Sequence, residues 1–435
     1  MKRILIDKME RWKDSERRKP LIIKGVRQCG KTWLLQQFGT VYYEDVAYFN
    51  FEGNDALGER FDRDLDARRI ITELGILRQK VIQPGKTLII FDEIQFCNRA
   101  LTALKYFYEN APEYHVICAG SLLGIALSKP LSFPVGKVDM MTLYPMNFYE
   151  FLLACGEDML CEYLHKINPD EKVSDLFTDR LENYLRTYYI TGGMPEAVDT
   201  WIRTKDIAQV EAVQQRILDS YQLDFAKHAP SKDFPKLSAI WRSIPQQLSK
   251  DNSKFIFSQV RKGWRAKDLE GALEWLLSAG LVYKVTSIEK PSVPLSAYAD
   301  QTFFKLYLSD VGLIRKMANL SAGHILQKND EFKEFKRAMT ENYVLCEMAN
   351  LFENDWFYWQ SGNTAEVDFV IQHDTNIIPV EVKSEHNNKA KSLAEYRKKY
   401  NPKISVITSM NNVAGAEVRQ IPLYLLWQMK KYLSV

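Results

Sequence analysis

The feature that most constrains the fold is a glycine-bounded loop between an apolar segment and a helical one near the amino terminus. Pro20-Leu-Ile-Ile-Lys24 predicts a short buried strand, and the apolar spacing of residues 31–38 predicts a helix. The loop Gly25-Val-Arg-Gln-Cys-Gly-Lys-Thr32 joins them. Further segments predict strands that alternate with helices. The strands are 46–51, 87–91, 115–119 and 138–143, and the clearest helix is 100–110. This alternation indicates an α/β fold with a parallel sheet covered on both faces.

The loop itself indicates a phosphate-binding site, because it matches Gly-x-x-x-x-Gly-Lys-Ser/Thr at every specified position. Gly25 and Gly30 allow the tight turn in which backbone N–H groups and a helix N-terminus face phosphate oxygens. Lys31 would reach the β- and γ-phosphates of ATP, and the Thr32 hydroxyl would bind Mg²⁺. The alternative is a glycine turn that matches by chance.

Two acids at the end of a strongly apolar strand predict the other half of this site. Leu88-Ile-Ile-Phe-Asp92-Glu93 places both carboxylates at the edge of the sheet. Asp92 would hold Mg²⁺ through water, and Glu93 would orient the attacking water, which makes Lys31 and Glu93 the predicted catalytic residues. The alternative for these acids is a helix cap.

Two polar positions farther along the chain are weaker candidates. Ser121 follows the fourth predicted strand, where it would either sense the γ-phosphate or cap a helix. Lys137 would lie near the nucleotide or be a solvated surface lysine. No arginine stands out as the arginine finger that ring-forming ATPases use.

Composition bounds the rest of the prediction. A chain of 435 residues with 46% apolar and 26% charged residues is ordinary globular protein with room for several domains. A net charge of +3 does not by itself indicate nucleic acid. No apolar run reaches the ~18 residues of a membrane-spanning helix, and residues 1–19 do not resemble a secretory signal. The six cysteines form no Cys-x-x-Cys pair, so we expect a protein of the reducing cytoplasm. Because there is no long apolar run, we expect no membrane partner.

The middle of the chain is predicted to be helical and to contain a winged-helix-like segment. Residues 257–285 resemble a helix-turn-helix followed by a strand, and residues 290–295 would form a wing or loop. A cluster of basic and aromatic residues precedes the second helix, where winged-helix domains meet DNA: Arg261, Lys262, Trp264, Arg265 and Lys267. The alternative is a module that only packs the ATPase against the tail.

Together these motifs resemble a family of prokaryotic AAA-type P-loop ATPases with an uncharacterised carboxy-terminal region. The resemblance extends over nearly the whole chain, and its more diagnostic stretches are Ala119-Gly-Ser121, Leu143-Tyr-Pro-Met-Asn-Phe-Tyr-Glu150 and Gly192-Gly-Met-Pro-Glu196. It implies ATP binding, hydrolysis and a homo-oligomer. Relatives often carry Gly-Arg where this chain has Gly136-Lys137, so an arginine-finger role does not carry over.

The tail resembles a restriction-endonuclease-like domain with an Asp…Glu-x-Lys pattern. Glu381 and Lys383 share one face of a strand because side chains alternate, and Asp368 on a neighbouring strand can join them. Glu341 on the preceding helix would complete the set, with Glu347 as the weaker choice. Such a cluster would bind a second divalent metal and cut DNA. The alternative is a charged strand face exposed to solvent. The last helix region is also basic: Lys383, Lys389, Lys391, Arg397, Lys398 and Lys399.

The sequence thus predicts three domains: a P-loop ATPase sheet (1–150), a helical and winged-helix-like region (151–329) and a restriction-endonuclease-like α/β domain (330–435). The predicted function is Mg²⁺-dependent ATP hydrolysis coupled to a DNA-directed, nuclease-like tail. The alternative is an ATP-dependent switch or remodeller that acts on a protein partner and has a catalytically inactive tail.

Overall fold

The computed structural model describes residues 1–121, 133–250, 253–326, 333–362, 365–386 and 390–434. The chain divides into two compact units. The amino-terminal unit comprises Lys2–Tyr144 with Ser278–Gly280, and the carboxy-terminal unit comprises Met1, Pro145–Leu277 and Leu281–Val435. The predicted boundaries at 150 and 329 therefore differ from this division, and residue 329 lies outside the described residues.

A five-stranded parallel sheet forms the centre of the amino-terminal unit. Its strand order is β2-β3-β4-β1-β5, and the strands are β1 (Leu21–Lys24), β2 (Asp45–Asn50), β3 (Thr87–Asp92), β4 (His115–Gly120) and β5 (Asp139–Thr142). β3 and β4 are buried along their whole length, as their continuous apolar sequences predict. All five predicted strands of the ATPase sheet are confirmed.

Helices and phenylalanines build the core around this sheet. The helices are α1 (Leu5–Lys13), α2 (Lys31–Tyr42), α3 (Asp55–Gly58), α4 (Ala67–Leu77) and α5 (Asn98–Asn110). Phe91 of β3 makes edge-on or tilted ring contacts with Phe49, Phe51, Phe61 and Phe107. Such contacts add to the apolar area that each ring buries. The strand that ends in the two acids is therefore anchored in the core of the unit.

The carboxy-terminal unit begins with helices and continues into a mixed sheet. Its helices are α6 (Phe148–Ala154), α7 (Asp158–Lys166), α8 (Asp175–Thr191), α9 (Pro195–Thr204), α10 (Ile207–His228), α11 (Phe234–Leu248), α12 (Phe257–Val260), α13 (Ala266–Ser278), α14 (Val311–Met317), α15 (Ala322–Leu326), α16 (Lys333–Leu351), α17 (Lys391–Tyr400) and α18 (Met429–Leu433). The helical prediction for the middle of the chain is confirmed.

The sheet of this unit has seven strands in the order β12-β11-β10-β9-β8-β6-β7. They are β6 (Val282–Ile288), β7 (Ala299–Leu308), β8 (Trp356–Ser361), β9 (Ala365–His373), β10 (Asn376–Val382), β11 (Ser405–Ser409) and β12 (Val418–Pro422). β6 and β7 form an antiparallel pair, and β6 also pairs in parallel with β8. The strands of the winged-helix-like segment and those of the tail therefore belong to one sheet.

A buried junction joins three segments of the carboxy-terminal unit, two of which belong to the stretches that carry the resemblance described above. Met146 N donates to Gly193 O at 2.7 Å, and Gly193 N donates to Asp310 Oδ2 at 2.6 Å. A Cβ atom on Gly193 would lie 2.0 Å from Met146 O. Glycine is required at this position because the two backbones touch. These bonds explain why residues from Pro145 onward belong to this unit and not to the ATPase sheet.

Among the described residues, no helix has the length and apolar character needed to cross a membrane.

Candidate functional site

The glycine loop lies where β1 ends and α2 begins, at the carboxyl edge of the parallel sheet. Lys24 is the last residue of β1, and α2 begins at Lys31. A Cβ atom on Gly25 would lie 2.2 Å from Leu143 O, so only glycine fits there. Gly30 has a φ of 92°, in the left-handed region that glycine enters without strain. The sequence therefore forms the predicted loop for identifiable steric reasons.

The lysine of the loop is held inside it. Lys31 is buried, and its Nζ donates to Gly25 O at 2.9 Å and to Val26 O at 2.8 Å. These bonds place the ammonium group within the loop, close to the backbone that would surround a phosphate.

Thr32 and Asp92 are in direct contact. Thr32 Oγ1 donates to Asp92 Oδ2 at 2.7 Å, across the gap between the start of α2 and the end of β3. Glu93 N donates to Asp92 Oδ1 at 3.0 Å. Thr32 and Asp92, the two residues predicted to hold Mg²⁺, therefore lie together at one edge of the sheet. Both oxygens of the Asp92 carboxylate accept hydrogen bonds.

Tyr48 is a member of this group that the sequence analysis missed. Its hydroxyl donates to Asp92 Oδ2 at 2.7 Å, the same oxygen that Thr32 contacts. Burial raises the pKa of Tyr48, and the bond to Asp92 raises it further, so the phenol keeps its proton and donates. No feature of the sequence marks Tyr48 as a site residue, because β2 resembles any half-buried strand. Only its position beside β3 gives Tyr48 this role.

Glu93 is held by two polar neighbours. Its φ of 49° lies in the left-handed region, which is unusual for a residue other than glycine and occurs often at functional sites. Gln95 Nε2 donates to Glu93 Oε2 at 2.5 Å, and Ser121 Oγ lies 3.1 Å from the same oxygen. Ser121 therefore contacts the proposed water-orienting carboxylate. The helix that it would cap in the alternative interpretation lies outside the described residues.

Lys137 is engaged elsewhere in the amino-terminal unit. Its Nζ lies 3.0 Å from Glu109 Oε1 on α5 and 5.4 Å from the centre of the Tyr108 ring. This arrangement favours the interpretation of Lys137 as a surface lysine.

The tail brings together the four residues predicted for a nuclease-like site. They lie on or beside elements that follow one another in the order helix, three strands, helix: α16, β8, β9, β10 and α17. Glu341 lies on α16, Asp368 on β9 and Glu381 on β10, and all three are buried. Lys383 Nζ lies 2.6 Å from Glu381 Oε1. Glu347 is not part of this cluster, because its Oε1 accepts from Phe148 N at 2.8 Å.

Two cations that the sequence analysis missed share the cluster. Arg337 Nε donates to Glu341 Oε1 at 2.7 Å, and its Nη2 donates to Asp368 Oδ1 at 3.0 Å. Lys305 Nζ, on β7, lies 2.7 Å from Glu366 Oε1 and 3.9 Å from Glu341 Oε2. The only hint in the sequence was the spacing of Arg337 four residues before Glu341.

The cations and the burial determine the charges in this cluster. Burial by itself raises the pKa of Glu341, but Arg337 and Lys305 outweigh it and hold that pKa below its ordinary value. Burial raises the pKa of Asp368, with Glu341 and Glu381 adding to the effect. Within the described ranges no group of three or more His, Cys, Asp or Glu residues is arranged to hold a metal ion. The prediction of a second metal in the tail is therefore unsupported.

Family models match three parts of the chain. Residues 17–152 match an AAA domain. Residues 182–324 and 336–426 match two domains of unknown function, DUF8612 and DUF4143.

Similar proteins share limited sequence with this chain. An uncharacterized protein of Methanocaldococcus jannaschii is 24% identical over 210 residues, a match that covers 45% of this chain and 42% of that protein's length. The Walker-type ATPase PABY2304 of Pyrococcus abyssi is 15% identical with a TM-score of 0.46, covering 72% of this chain and 94% of that one. The Orc1 protein of Aeropyrum pernix, solved in complex with DNA, is 12% identical with a TM-score of 0.29, covering 73% and 90%.

The AAA match covers the glycine loop, the parallel sheet and the acidic end of β3. Residues 17–152 are therefore an AAA-type P-loop ATPase domain.

Proposed function

We propose that the chain hydrolyses ATP with Mg²⁺ at the site formed by the glycine loop and the end of β3. The observation that carries this proposal is the 2.7 Å contact between Thr32 Oγ1 and Asp92 Oδ2. It places a hydroxyl and a carboxylate beside the loop that holds Lys31. Oxygen donors of this kind suit Mg²⁺, which binds through few protein ligands and substrate phosphates.

Each residue has a distinct role in this proposal. The loop amides and Lys31 bind the phosphates, and Thr32 and Asp92 hold the ion, which neutralises phosphate charge when bound. Glu93 orients a water molecule toward the γ-phosphorus. A bond forms from that water to phosphorus, the bond to the β,γ-bridging oxygen breaks, and ADP and phosphate leave. Gln95 and Ser121 keep the Glu93 carboxylate in position.

The test is Mg²⁺-dependent ATP hydrolysis by wild type, Lys31→Ala and Glu93→Gln, with ATP binding measured in parallel. We expect Lys31→Ala to lose both binding and hydrolysis, and Glu93→Gln to bind ATP but not hydrolyse it. Lys86→Ala and Glu44→Gln are matched controls, because Lys86 and Glu44 form an ion pair with 3.1 Å between Nζ and Oε1 at the opposite end of β3. Equal activity in all five proteins would refute the proposal.

We further infer that DNA is the partner on which the carboxy-terminal unit acts. Arg261, Lys262, Arg265 and Lys267 are exposed around the start of α13, and the Arg261 guanidinium lies 5.1 Å from the Trp264 ring centre. Clustered cations attract a phosphate backbone and release its counterions. This local cluster of cations supports DNA binding, whereas the net charge of the whole chain does not indicate it.

DNA binding is tested by fluorescence anisotropy with a labelled duplex at two salt concentrations. Alanine at Arg261, Lys262 and Arg265 should weaken binding about tenfold or more and flatten its salt dependence. A control variant with alanine at three exposed cations of the amino-terminal unit, Lys8, Arg11 and Arg17, has the same charge change. If both variants bind equally well, the patch is not the DNA site.

The nuclease-like interpretation of the tail rests on the assembly of Glu341, Asp368, Glu381 and Lys383. Its test is metal-dependent cleavage of DNA by wild type, Asp368→Ala and Lys383→Ala. Cleavage lost in both variants would support a nuclease. No cleavage in wild type, with ATP hydrolysis stimulated by a protein and not by DNA, would favour the alternative of a switch or remodeller with an inactive tail.

The proposed homo-oligomer would supply the missing arginine finger from a neighbouring copy. Light scattering with and without ATP tests this proposal. A monomer at the concentration where hydrolysis is maximal would contradict it.

A further inference from the structure

The carboxylate cluster of the tail contains its own counterions. Four carboxylates, Glu341, Glu366, Asp368 and Glu381, lie among three cations, Arg337, Lys305 and Lys383. A buried carboxylate is stable only when it is paired or hydrogen-bonded. The protein meets this requirement with its own side chains.

The hydrogen bonds of the two central carboxylates use all four of their oxygens. Glu341 Oε1 accepts from Arg337 at 2.7 Å, and Oε2 accepts from the Tyr307 hydroxyl at 2.6 Å. Asp368 Oδ1 accepts from Arg337 at 3.0 Å, and Oδ2 accepts from Val382 N at 2.8 Å. A divalent ion bound between these two carboxylates would have to displace the Arg337 guanidinium, which contacts both of them.

Arg337 lies between the carboxylates of α16 and β9 that would bind the metal ion in a nuclease-like site. Its guanidinium bridges Glu341 on α16 and Asp368 on β9, and its Nη2 lies 3.6 Å from Glu366 Oε1. Lys305, whose side chain is fully buried, contributes a second fixed charge from β7. Of the oxygens of Glu341, Asp368 and Glu381, only Glu381 Oε2 is buried without a hydrogen-bond partner. The position between Glu341 and Asp368, where a metal would need both carboxylates, is filled by the Arg337 guanidinium.

We propose that Arg337 and Lys305 take the place of a divalent metal in the tail, so that this cluster is a fixed ion-pair network joining α16, β7, β9 and β10. The residues therefore do not fit the metal that the nuclease-like pattern implies. The network holds the seven-stranded sheet against α16, and the tail serves binding or coupling rather than metal-dependent cleavage. This inference does not depend on ATP hydrolysis.

The first test is calorimetric titration of Mn²⁺ into the nucleotide-free full chain. Wild type, Asp368→Asn and Glu381→Gln should show the same Mn²⁺ binding, because the cluster contributes no metal site. A Mn²⁺ ion that wild type binds and that either variant loses would overturn the proposal. Glu381→Gln keeps the test decisive if Asp368→Asn fails to fold.

The second test compares two arginines that each pair with an acid four residues away. Arg337→Met removes the guanidinium that contacts the buried carboxylates, whereas Arg203→Met removes an exposed pair with Asp199. The fall in melting temperature should be severalfold larger for Arg337→Met. Exposed pairs contribute little, whereas removal of Arg337, although its side chain is half-exposed, takes a cation away from the buried carboxylates of Glu341 and Asp368. Equal melting temperatures for the two variants would overturn the proposal.

Discussion

Glu347 allows a quantitative test of burial in the carboxy-terminal unit. The side chain is fully buried on α16, its Oε1 accepts from Phe148 N at 2.8 Å, and its Oε2 has no hydrogen-bond partner. Burial raises the pKa of Glu347 from 4.5 to about 8, with the Glu150 carboxylate adding to the effect. At neutral pH the folded protein therefore holds this carboxyl group protonated.

The direction of the pH dependence follows from that shift. Because the pKa is higher in the folded state than in the unfolded state, the stabilisation is complete below about pH 4.5 and is lost as the pH rises toward about 8. Each pH unit in that range changes the free energy of unfolding by about 1.4 kcal/mol. Between pH 6 and pH 8 the Glu347 carboxyl group thus lowers the stability by roughly 2–3 kcal/mol.

The substitution Glu347→Gln removes the titration and keeps an oxygen that can accept from Phe148 N. We expect the free energy of unfolding of this variant, relative to wild type, to increase by roughly 2–3 kcal/mol from pH 6 to pH 8. Urea denaturation followed by circular dichroism at several pH values measures the difference. Glu334→Gln is the control, because Glu334 is exposed at the start of the same helix. Parallel pH profiles for wild type and Glu347→Gln would refute the reasoning.

Three further substitutions test the ATP site and the packing of the carboxy-terminal unit. Tyr48→Phe removes one of the two hydroxyl donors to Asp92 Oδ2. The value of kcat/KM for ATP should fall about tenfold, because a hydrogen bond to a charged group contributes roughly 1.5–3 kcal/mol. An unchanged kcat/KM would exclude a positioning role for Tyr48. Gly193→Ala would place a Cβ atom 2.0 Å from Met146 O, which should lower the free energy of unfolding by about 1–3 kcal/mol in urea denaturation. Asn147→Ala removes the N-cap of α6 and should lower the same quantity by about 1 kcal/mol.

Much of the fold could be predicted because it depends on local patterns. Continuous apolar strands, helical spacing and glycine turns are properties of neighbouring residues, so the five strands of the ATPase sheet were found. The shared sheet of the middle region and the tail was not predicted, because the pairing of β6 with β8 joins segments far apart in sequence. No local pattern marks such a pairing.

The charged cluster of the tail illustrates the same limit. The Asp…Glu-x-Lys pattern identified Asp368, Glu381 and Lys383 as neighbours, because alternation along a strand determines which side chains share a face. The pattern did not reveal Arg337 or Lys305, which approach from a helix and from a strand of another segment. The same four predicted residues are compatible with a metal site or an ion-pair network, and the added cations favour the network.

The sequence by itself determined the AAA-type P-loop domain. Its phosphate loop is a single contiguous segment, and Asp92 ends β3 with Glu93 directly after it, so the positions of these residues follow from local spacing. Only the tertiary structure decided that Tyr48 and Thr32 share an oxygen of Asp92, that Ser121 contacts Glu93, and that Arg337 lies among the carboxylates of the tail. The physical reason is that hydrogen bonds and ion pairs act over a few ångströms in space, whereas the residues that make them are tens of positions apart in the chain.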